Sequence, residues 1–307
     1  MTNEPFFSVV IPLFNKEDYI ANTIKSVLNQ RYQNFEVIIV NDGSIDNSVE
    51  IVKRFSNSRI TIINQKNQGL SVARNSGIKH SNYDYIAFLD ADDLWFKDYL
   101  LTIYNLIRFN SKSEVFATSF RLLRPKQKAN LLASDFDAKK AQIITNYFRL
   151  SKNIFCNSSL VVKKSVFSRI GNFNDQINYG EEEDFFIRCF SLYNLTYYKI
   201  PKVFYLKGIK NQLTSPNSNI DRIIPDYSIY LNNKNQRLLK PYVDFIYFKL
   251  VVLYKMERNY DLVKFYKQKI SPKNLTLIQK IKFHLPTSLF YYTKTFYLWL
   301  SKRLIHS

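Results

Sequence analysis

An α/β fold on a mostly parallel central sheet flanked by helices is what three features of this 307-residue chain predict. Strand-like and helix-like patterns alternate through the first ninety residues, each strand–helix–strand unit taking about 30 residues, as parallel strands joined by covering helices require. Polar clusters stand directly after the strands, where open parallel sheets gather their ligands. With 46% hydrophobic and 16% aromatic residues, six glycines and nine prolines, the chain has material for a sizeable core and is neither disordered nor collagen-like.

Phe7–Ile11 is a short run of buried-strand type, and Ile20, Ile24, Val27 and Leu28 recur at helical spacing after the polar Asn15–Asp18. Phe35–Val40 is the second strand, ending in the turn cluster Asn41–Ser44. Asp46 or Asn47 can cap the next helix, whose apolar face carries Val49, Val52 and Phe55. Ile60–Ile63 reads as a third strand, Leu70–His80 as a helix and Tyr85–Leu89 as a fourth strand. Beyond it, helices are expected at Lys97–Phe109, Lys163–Ile170 and Glu182–Tyr193. Strands are expected at Glu114–Leu122, Leu160–Val162, Thr196–Ile200 and Val203–Leu206, with Arg124–Asp137 as a polar loop. After about residue 215 the pattern turns helical and rich in Lys and Tyr, and a break is expected at Pro286. The organisation predicted is an α/β domain at 1–215 and a basic, mainly helical region at 216–307.

The formal charge is +19, and it is lopsided: residues 201–307 hold 19 Lys/Arg against five Asp/Glu. Such a surplus implies an anionic partner for that region: a phospholipid surface, a phosphorylated substrate or nucleic acid. Two cysteines and three scattered histidines exclude a disulfide framework and a His- or Cys-rich metal site, and fit a reducing, cytosolic setting. The start lacks the basic segment of a signal peptide. The apolar stretches Phe245–Tyr254 and Leu285–Leu300 are interrupted by Lys249 and Lys294, short of the roughly 18–20 residues of a spanning helix. The expected location is cytoplasmic, with peripheral attachment at the inner face of the plasma membrane as one reading. Leu277, Ile278, Ile281, Leu285, Leu289, Phe290, Phe296, Trp299, Leu300 and Leu304 interleave with Lys280, Lys282, Lys294, Lys302 and Arg303. That pattern suits either a membrane-interface helix or a helical subdomain packed on the core with a solvated basic face.

The sharpest chemical feature is Phe88–Asp93, with Asp90, Asp92 and Asp93 directly after a strand. Carboxylates this close raise one another's pKa unless a cation joins them, and Mg²⁺ or Mn²⁺ takes one or two carboxylates together with substrate phosphates. The plain alternative is an acidic turn capping a helix that starts near Trp95. Asp42 after the second strand can accept from a base or ribose, beside Gly43, or simply close a turn. Pro12 and Phe14 offer a bend and an aromatic face, or ordinary strand termination. Arg74, early on its helix, can reach a phosphate or a base edge, or lie solvated. Glu181, Glu182, Glu183 and Asp184 either favour a helix N-terminus or supply a general base.

These five segments, in this order, resemble family 2 glycosyltransferases of the GT-A, nucleotide-sugar-binding fold. The matching stretches are SVVIPLFNKEDYIANTIKSVLNQ (8–30), FEVIIVNDGSIDNS (35–48), NQGLSVARNSGI (67–78), YIAFLDADD (85–93) and GNFNDQINYGEEEDFFIR (171–188). The resemblance covers roughly residues 6–205. It implies that Pro12, Phe14 and Glu17 lie beside the nucleotide, with Phe14 in place of a usual tyrosine. It also implies that Asp42 reads the base, usually uracil, and that Arg74 stands near base and phosphates. Asp90 and Asp92 become the DxD pair, Asp90 on ribose or metal-bound water and Asp92 on Mn²⁺ or Mg²⁺, with Asp93 assisting. The acidic motif departs from the family's Glu-Asp dipeptide. Aligning Gly180 and Arg188 makes Glu182 the catalytic base, with Glu181 and Asp184 as the alternatives. A second departure lies at Phe204–Asn211, where Lys207 or Lys210 would supply the positive charge that the family often takes from histidine or arginine.

The implied reaction moves a sugar from a nucleotide-diphosphate donor, UDP-linked by resemblance, to a hydroxyl of a saccharide or lipid-linked saccharide with inversion, in surface polysaccharide synthesis. A non-catalytic nucleotide-sugar-binding homologue is the alternative. A nucleic-acid-binding protein fits the charge alone, but the carboxylates at the strand ends argue against it, and no nucleic acid is expected as partner. A nucleotidyltransferase would need a Gly-rich phosphate loop after the first strand, and Pro12–Glu17 has no glycine.

Overall fold

The computed structural model describes residues 4–124, 127–150, 152–209, 212, 215–216, 221–232 and 236–303. By its contacts the chain forms two compact units. The first takes in Met1–Tyr147, Asn153–Lys210 and Ile223–Pro225, and the second Phe148–Lys152, Asn211–Arg222 and Asp226–Ser307.

The first unit is built on one sheet. Its strands are β1 (Phe7–Leu13), β2 (Phe35–Asp42), β3 (Ile60–Gln65), β4 (Tyr85–Phe88), β5 (Leu94–Trp95), β6 (Val115–Leu123), β7 (Ala141–Ile144), β8 (Leu160–Lys163) and β9 (Leu195–Leu206). Its helices are α1 (Ile20–Leu28), α2 (Ser48–Lys53), α3 (Leu70–His80), α4 (Tyr99–Phe109), α5 (Lys164–Ile170) and α6 (Glu181–Phe190). The strand order is β3-β2-β1-β4-β8-β6-β9-β5, with β7 pairing to β9. The first four strands are parallel, as the alternating pattern predicts. Past β4 the sheet is mixed, because β8 runs antiparallel to both β4 and β6 while β6 and β9 are parallel.

All seven residues of β1 are buried, which is why it reads as a continuous apolar run: helices cover both of its faces. One covering helix comes very close. A Cβ on Gly77 of α3 would lie 2.2 Å from Cγ1 of Val10, so only glycine fits where α3 crosses β1. The chain steps outward from β1 to β2 and β3, then returns to place β4 on the other side of β1. That reversal opens a crevice beyond the carboxyl ends of β1 and β4, the usual ligand position in such sheets.

Local details differ from the sequence reading. The helix expected from near Trp95 begins at Tyr99 as α4, and the residues before it, Leu94–Trp95, form a two-residue strand, β5, paired with β9. The two strands expected around residues 196–206 are one twelve-residue strand, with its irregularity opposite Ser119, where the register meets Pro201.

The second unit holds α7 (Gln236–Met256), α8 (Tyr260–Gln268), α9 (Leu277–His284) and α10 (Thr287–Arg303). Asn259 caps α8, accepting from the amide of Leu262, and Thr276 and Gln279 form a capping box on α9. Leu239, Val243, Ile246 and Val251 of α7 are buried. Lys255, also fully buried, donates to the carbonyls of Lys282, Phe283 and Leu285 at the exit of α9. The chain breaks between α9 and α10 at Leu285 and Pro286, where the proline is expected to interrupt it. Among the described residues no helix is long and apolar enough to cross a membrane.

Candidate active site

The acidic segment forms a tight turn at the end of β4. It closes through Asp93 N–H donating to the Asp90 carbonyl at 3.0 Å. Three neighbours hold it. The Thr23 hydroxyl of α1 donates to the carbonyls of Ala91 and Asp93 at 2.9 and 3.0 Å. The Ser158 hydroxyl accepts from Asp90 N–H at 3.1 Å and donates to the Asp93 carboxylate. Leu206 N–H, at the end of β9, donates to Asp93 at 2.9 Å. Asp93 is therefore turned inward and fully buried. Burial, then the charges of Asp92 and Asp90, raise its carboxyl well above the usual range. Asp93, expected to assist at a cation, is here bonded to Ser158 and to the Leu206 amide, and it pins the turn to β9.

Asp90 and Asp92 face the crevice side, with side chains 25% and 10% exposed. Asp90 receives Arg74 Nη2 at 2.9 Å. The same guanidinium reaches Glu182 from Nη2 at 3.1 Å and Glu181 from Nη1 at 3.3 Å. Asn157, its amide turned so that the oxygen faces Arg74, accepts from Nε and Nη2 at 3.0 Å. The ring of Phe173 lies 5.3 Å beneath the guanidinium. Arg74 is 0% exposed. Burial alone would lower its pKa, but Asp90, Glu182 and Glu181 outweigh that and raise it, so it stays charged. The arginine expected beside base and phosphates thus joins two acidic groups that are about 90 residues apart in the chain.

The three candidate bases separate by environment. Asp184 is 2% exposed and paired with Arg188, at 2.7 Å to Nη2 and 3.0 Å to Nε. Arg188 in turn donates to the carbonyls of Ile170, Gly171 and Asn172 at the end of α5, so this pair braces the scaffold. Glu181 is 10% exposed and Glu182 32%. Glu182 is the most open of the three. Burial pushes its carboxyl up to about 8, against the downward pull of Arg74. Gly180, at φ 86°, turns the chain into α6 just before these acids.

The other rim residues come from β1 and β2. Pro12 is buried within β1, in register with Val40, while the Phe14 ring is 42% exposed beyond the strand end. Asp42, buried at the end of β2, accepts from Gln65 Nε2 at 2.8 Å and from the amides of Gln68 and Gly69 at 3.0 and 2.8 Å. It orders the loop that leads into α3. Glu17 accepts from the amide and side chain of Asn47 at 3.0 and 2.8 Å, clamping two loops together. Lys207 is exposed just past β9, its N–H donating to the Leu123 carbonyl. Lys210 lies outside the described residues.

The sequence reading passed over three residues. Lys16 Nζ lies 2.6 Å from Asp92 Oδ2. Asn157 and Ser158 support Arg74 and the acidic turn from a short 3₁₀ turn ahead of β8. Lys16 stood inside a recognised segment and could have been singled out as the cation nearest the strand end. Asn157 and Ser158 carry no sequence signal, since only sheet pairing brings them to β4. Among the described residues no three His, Cys, Asp or Glu side chains form a ready metal cage. Asp90 and Asp92 nevertheless supply the hard oxygen donors that suit Mg²⁺ or Mn²⁺ alongside substrate phosphates. Asp92 already faces a cation in the Lys16 ammonium, so the donor set fits such an ion.

A family model described as Glycosyl transferase family 2 matches residues 8–199. Glycosyltransferase GlyA of Streptococcus pneumoniae is 43% identical over 102 residues, 33% of this chain and 15% of GlyA. An uncharacterized glycosyltransferase of Rickettsia typhi is 27% identical over 197 residues, 62% of each chain. These matches span less than two thirds of the relatives' own lengths. Among solved structures, S. aureus TarS 1–349 in complex with UDP-GlcNAc superposes with a TM-score of 0.61 at 15% identity, covering 88% of this chain and 82% of that one. At that identity the likeness speaks for the fold, which is GT-A.

Proposed function

Because the chain belongs to glycosyl transferase family 2, we propose that it transfers a sugar from a nucleotide-diphosphate donor to a saccharide hydroxyl with inversion at the anomeric carbon. The observation that carries this reading is the Arg74 hub, which holds the Asp90 end of the DxD turn and the Glu182 carboxylate through one guanidinium. One group suits a donor with its cation and the other a proton transfer, and inverting chemistry needs both together.

The exposed Phe14 ring offers a stacking face for the base, and Asp42 orders the neighbouring loop at Gln68 and Gly69. Mg²⁺ or Mn²⁺ held by Asp92 with Asp90 would supply Lewis-acid neutralisation of the diphosphate. Glu182 accepts the proton of the acceptor hydroxyl. That oxygen then bonds to the anomeric carbon as the bond from this carbon to the phosphate oxygen breaks, and the nucleotide diphosphate leaves with the electron pair. A carboxyl raised toward neutrality is suited to this work, since a general base is most effective with a pKa near the operating pH. Arg74 acts through the acids it holds and is a positioning residue. The UDP-GlcNAc bound by TarS supports a UDP-linked donor.

The acceptor we propose is a lipid-linked saccharide of cell-surface polysaccharide synthesis, met at the inner face of the membrane. The support comes from the second unit. On α9, Leu277, Ile278 and Ile281 are 75%, 65% and 59% exposed, and on α10 Leu289, Tyr292, Phe296 and Trp299 stand outward at helical spacing. No acidic residue follows Asp261, while nine Lys/Arg do. An apolar stripe among cations matches an anionic lipid surface. Leu304, counted with the stripe in sequence, lies outside the described residues.

The test is turnover of UDP-, GDP- and dTDP-sugars with Mn²⁺ or Mg²⁺, read as nucleotide diphosphate release. Asp92→Ala and Glu182→Gln are expected to abolish turnover while circular dichroism stays that of the wild type. Wild-type rates from folded Asp92→Ala would remove the metal role, and from Glu182→Gln the base.

A further inference from the structure

We propose that Lys16 is a tethered counter-ion of the donor site: its ammonium holds Asp92 and is exchanged for the divalent cation, turning then to the diphosphate that arrives with it. The inference rests on the reading of Asp92 as the cation-holding carboxylate and adds how that carboxylate is kept and released.

The geometry makes this a built feature. Lys16 Nζ and Asp92 Oδ2 are 2.6 Å apart, with side chains 19% and 10% exposed, so water screens the pair weakly. Without a positive partner, an aspartate this buried would be costly to keep ionised.

The main chain beneath Lys16 is fixed at three consecutive amides. Asn15 N–H donates to Ser44 Oγ at 3.2 Å, Lys16 N–H to Ser48 Oγ at 2.8 Å and Glu17 N–H to Asp46 Oδ2 at 3.0 Å. The Asn15 side chain accepts from Ile45 N–H, and Glu17 clamps Asn47. Asn15 itself sits at φ 51°, a left-handed conformation that a side chain adopts at a cost, here supported by those bonds. With the loop held on both sides, the movable part is the lysine stem. It can swing without any rearrangement of the rim.

Exchange follows from charge. A divalent ion on Asp92 would share a carboxylate with the ammonium, and like charges at that separation repel strongly in a partly buried site. The displaced ammonium is drawn to the nearest new negative charge, the diphosphate that accompanies the metal. Lysine suits this role better than arginine, because it is a compact point charge on a flexible four-carbon stem and not a rigid fork. The arrangement holds Asp92 in place, and it makes Mn²⁺ binding weak until a diphosphate is present to receive the lysine.

The experiment compares Mn²⁺ binding by calorimetry for the wild type and Lys16→Met, alone and with UDP or GDP. Lys16→Met is expected to bind Mn²⁺ alone at least tenfold more tightly than the wild type, and to bind the nucleotide with Mn²⁺ at least tenfold more weakly. Lys16→Arg, which keeps the charge, is expected to lie nearer the wild type in Mn²⁺ binding. A measurement on the wild type alone guards against misfolding of the variant: amine labelling read by mass spectrometry. Mn²⁺ is expected to raise labelling of Lys16 several-fold, and UDP with Mn²⁺ to suppress it again, while uridine with Mn²⁺ does not. Equal Mn²⁺ affinity in wild type and Lys16→Met, or labelling unchanged by Mn²⁺, would overturn the exchange and leave Asp92 as a metal site. No Mn²⁺ uptake by either protein, with or without nucleotide, would overturn both readings.

Discussion

Replacing Arg74 by methionine removes the one group that joins the acidic turn to the acids of α6. Methionine keeps the length and apolar stem of the side chain, so the change is chiefly one of charge and donors. Three carboxylates lose a partner: Asp90 at 2.9 Å, Glu182 at 3.1 Å and Glu181 at 3.3 Å. Breaking a buried ion pair by deleting one member costs about 3–5 kcal/mol, because the remaining charge is left uncompensated. Asp90 and Glu182 keep some solvent, at 25% and 32% exposure, which places the expected loss near the lower end, about 3 kcal/mol.

The loss should depend on pH, and its sign is fixed. Arg74 pulls Glu182 and Glu181 downward, so its removal raises both carboxyls further above their unfolded values. Between the unfolded and folded pKa the folded state then binds more protons, and stability falls as pH rises. The destabilisation should therefore be smaller at pH 5 than at pH 8. Urea denaturation followed by Trp95 fluorescence reads it, since Trp95 is fully buried against Tyr99 in the sheet unit. A loss under about 1 kcal/mol, the scale of a solvated surface pair, or a loss equal at both pH values, would refute the hub as described.

Other outcomes follow from the same geometry. The acidic limb of the kcat/KM profile should lie well above the ordinary glutamate range, because Glu182 must lose its proton to act and burial pushes it up to about 8; a limb at the usual carboxylate pH would remove Glu182 as the base. Asp184→Asn should weaken stability through Arg188 while leaving that limb where it is, which a pH–rate series checks. Gly77→Ala should cost about 1–3 kcal/mol as an overpacked contact, since its Cβ would meet Val10 at 2.2 Å; an unchanged urea midpoint would show that α3 can shift. Replacing Leu277, Ile278 and Ile281 by serine should lower flotation with anionic liposomes while leaving nucleotide-sugar hydrolysis in solution intact, and equal flotation would remove the lipid reading of the tail.

Where a segment's fate depends on its own pattern, the chain could be read directly. β1, β2 and β4 carry the apolar runs Val9–Ile11, Val37–Val40 and Ile86–Phe88, buried because helices cover them, and α3 spans Leu70–His80 as the sequence predicts. Short or interrupted segments could not be read so. Leu94–Trp95 is too brief to show a period, and its strand character comes from pairing with Phe204 and Val203. Pro201 divides β9 in sequence, yet the strand continues through it because β6 shifts register there.

The site divides in the same way. The ordered motifs by themselves settled the family, the fold and the positions that carry carboxylates, because strand ends and helix starts are local properties. Which of those carboxylates is open, paired or sealed depended on neighbours distant in the chain. Ser158 and Leu206 turn Asp93 inward, Arg188 occupies Asp184, Arg74 joins Asp90 to Glu182, and Lys16 reaches Asp92. An ion pair forms where burial removes competing water and brings opposite charges within about 4 Å, and folding brings about both conditions at once.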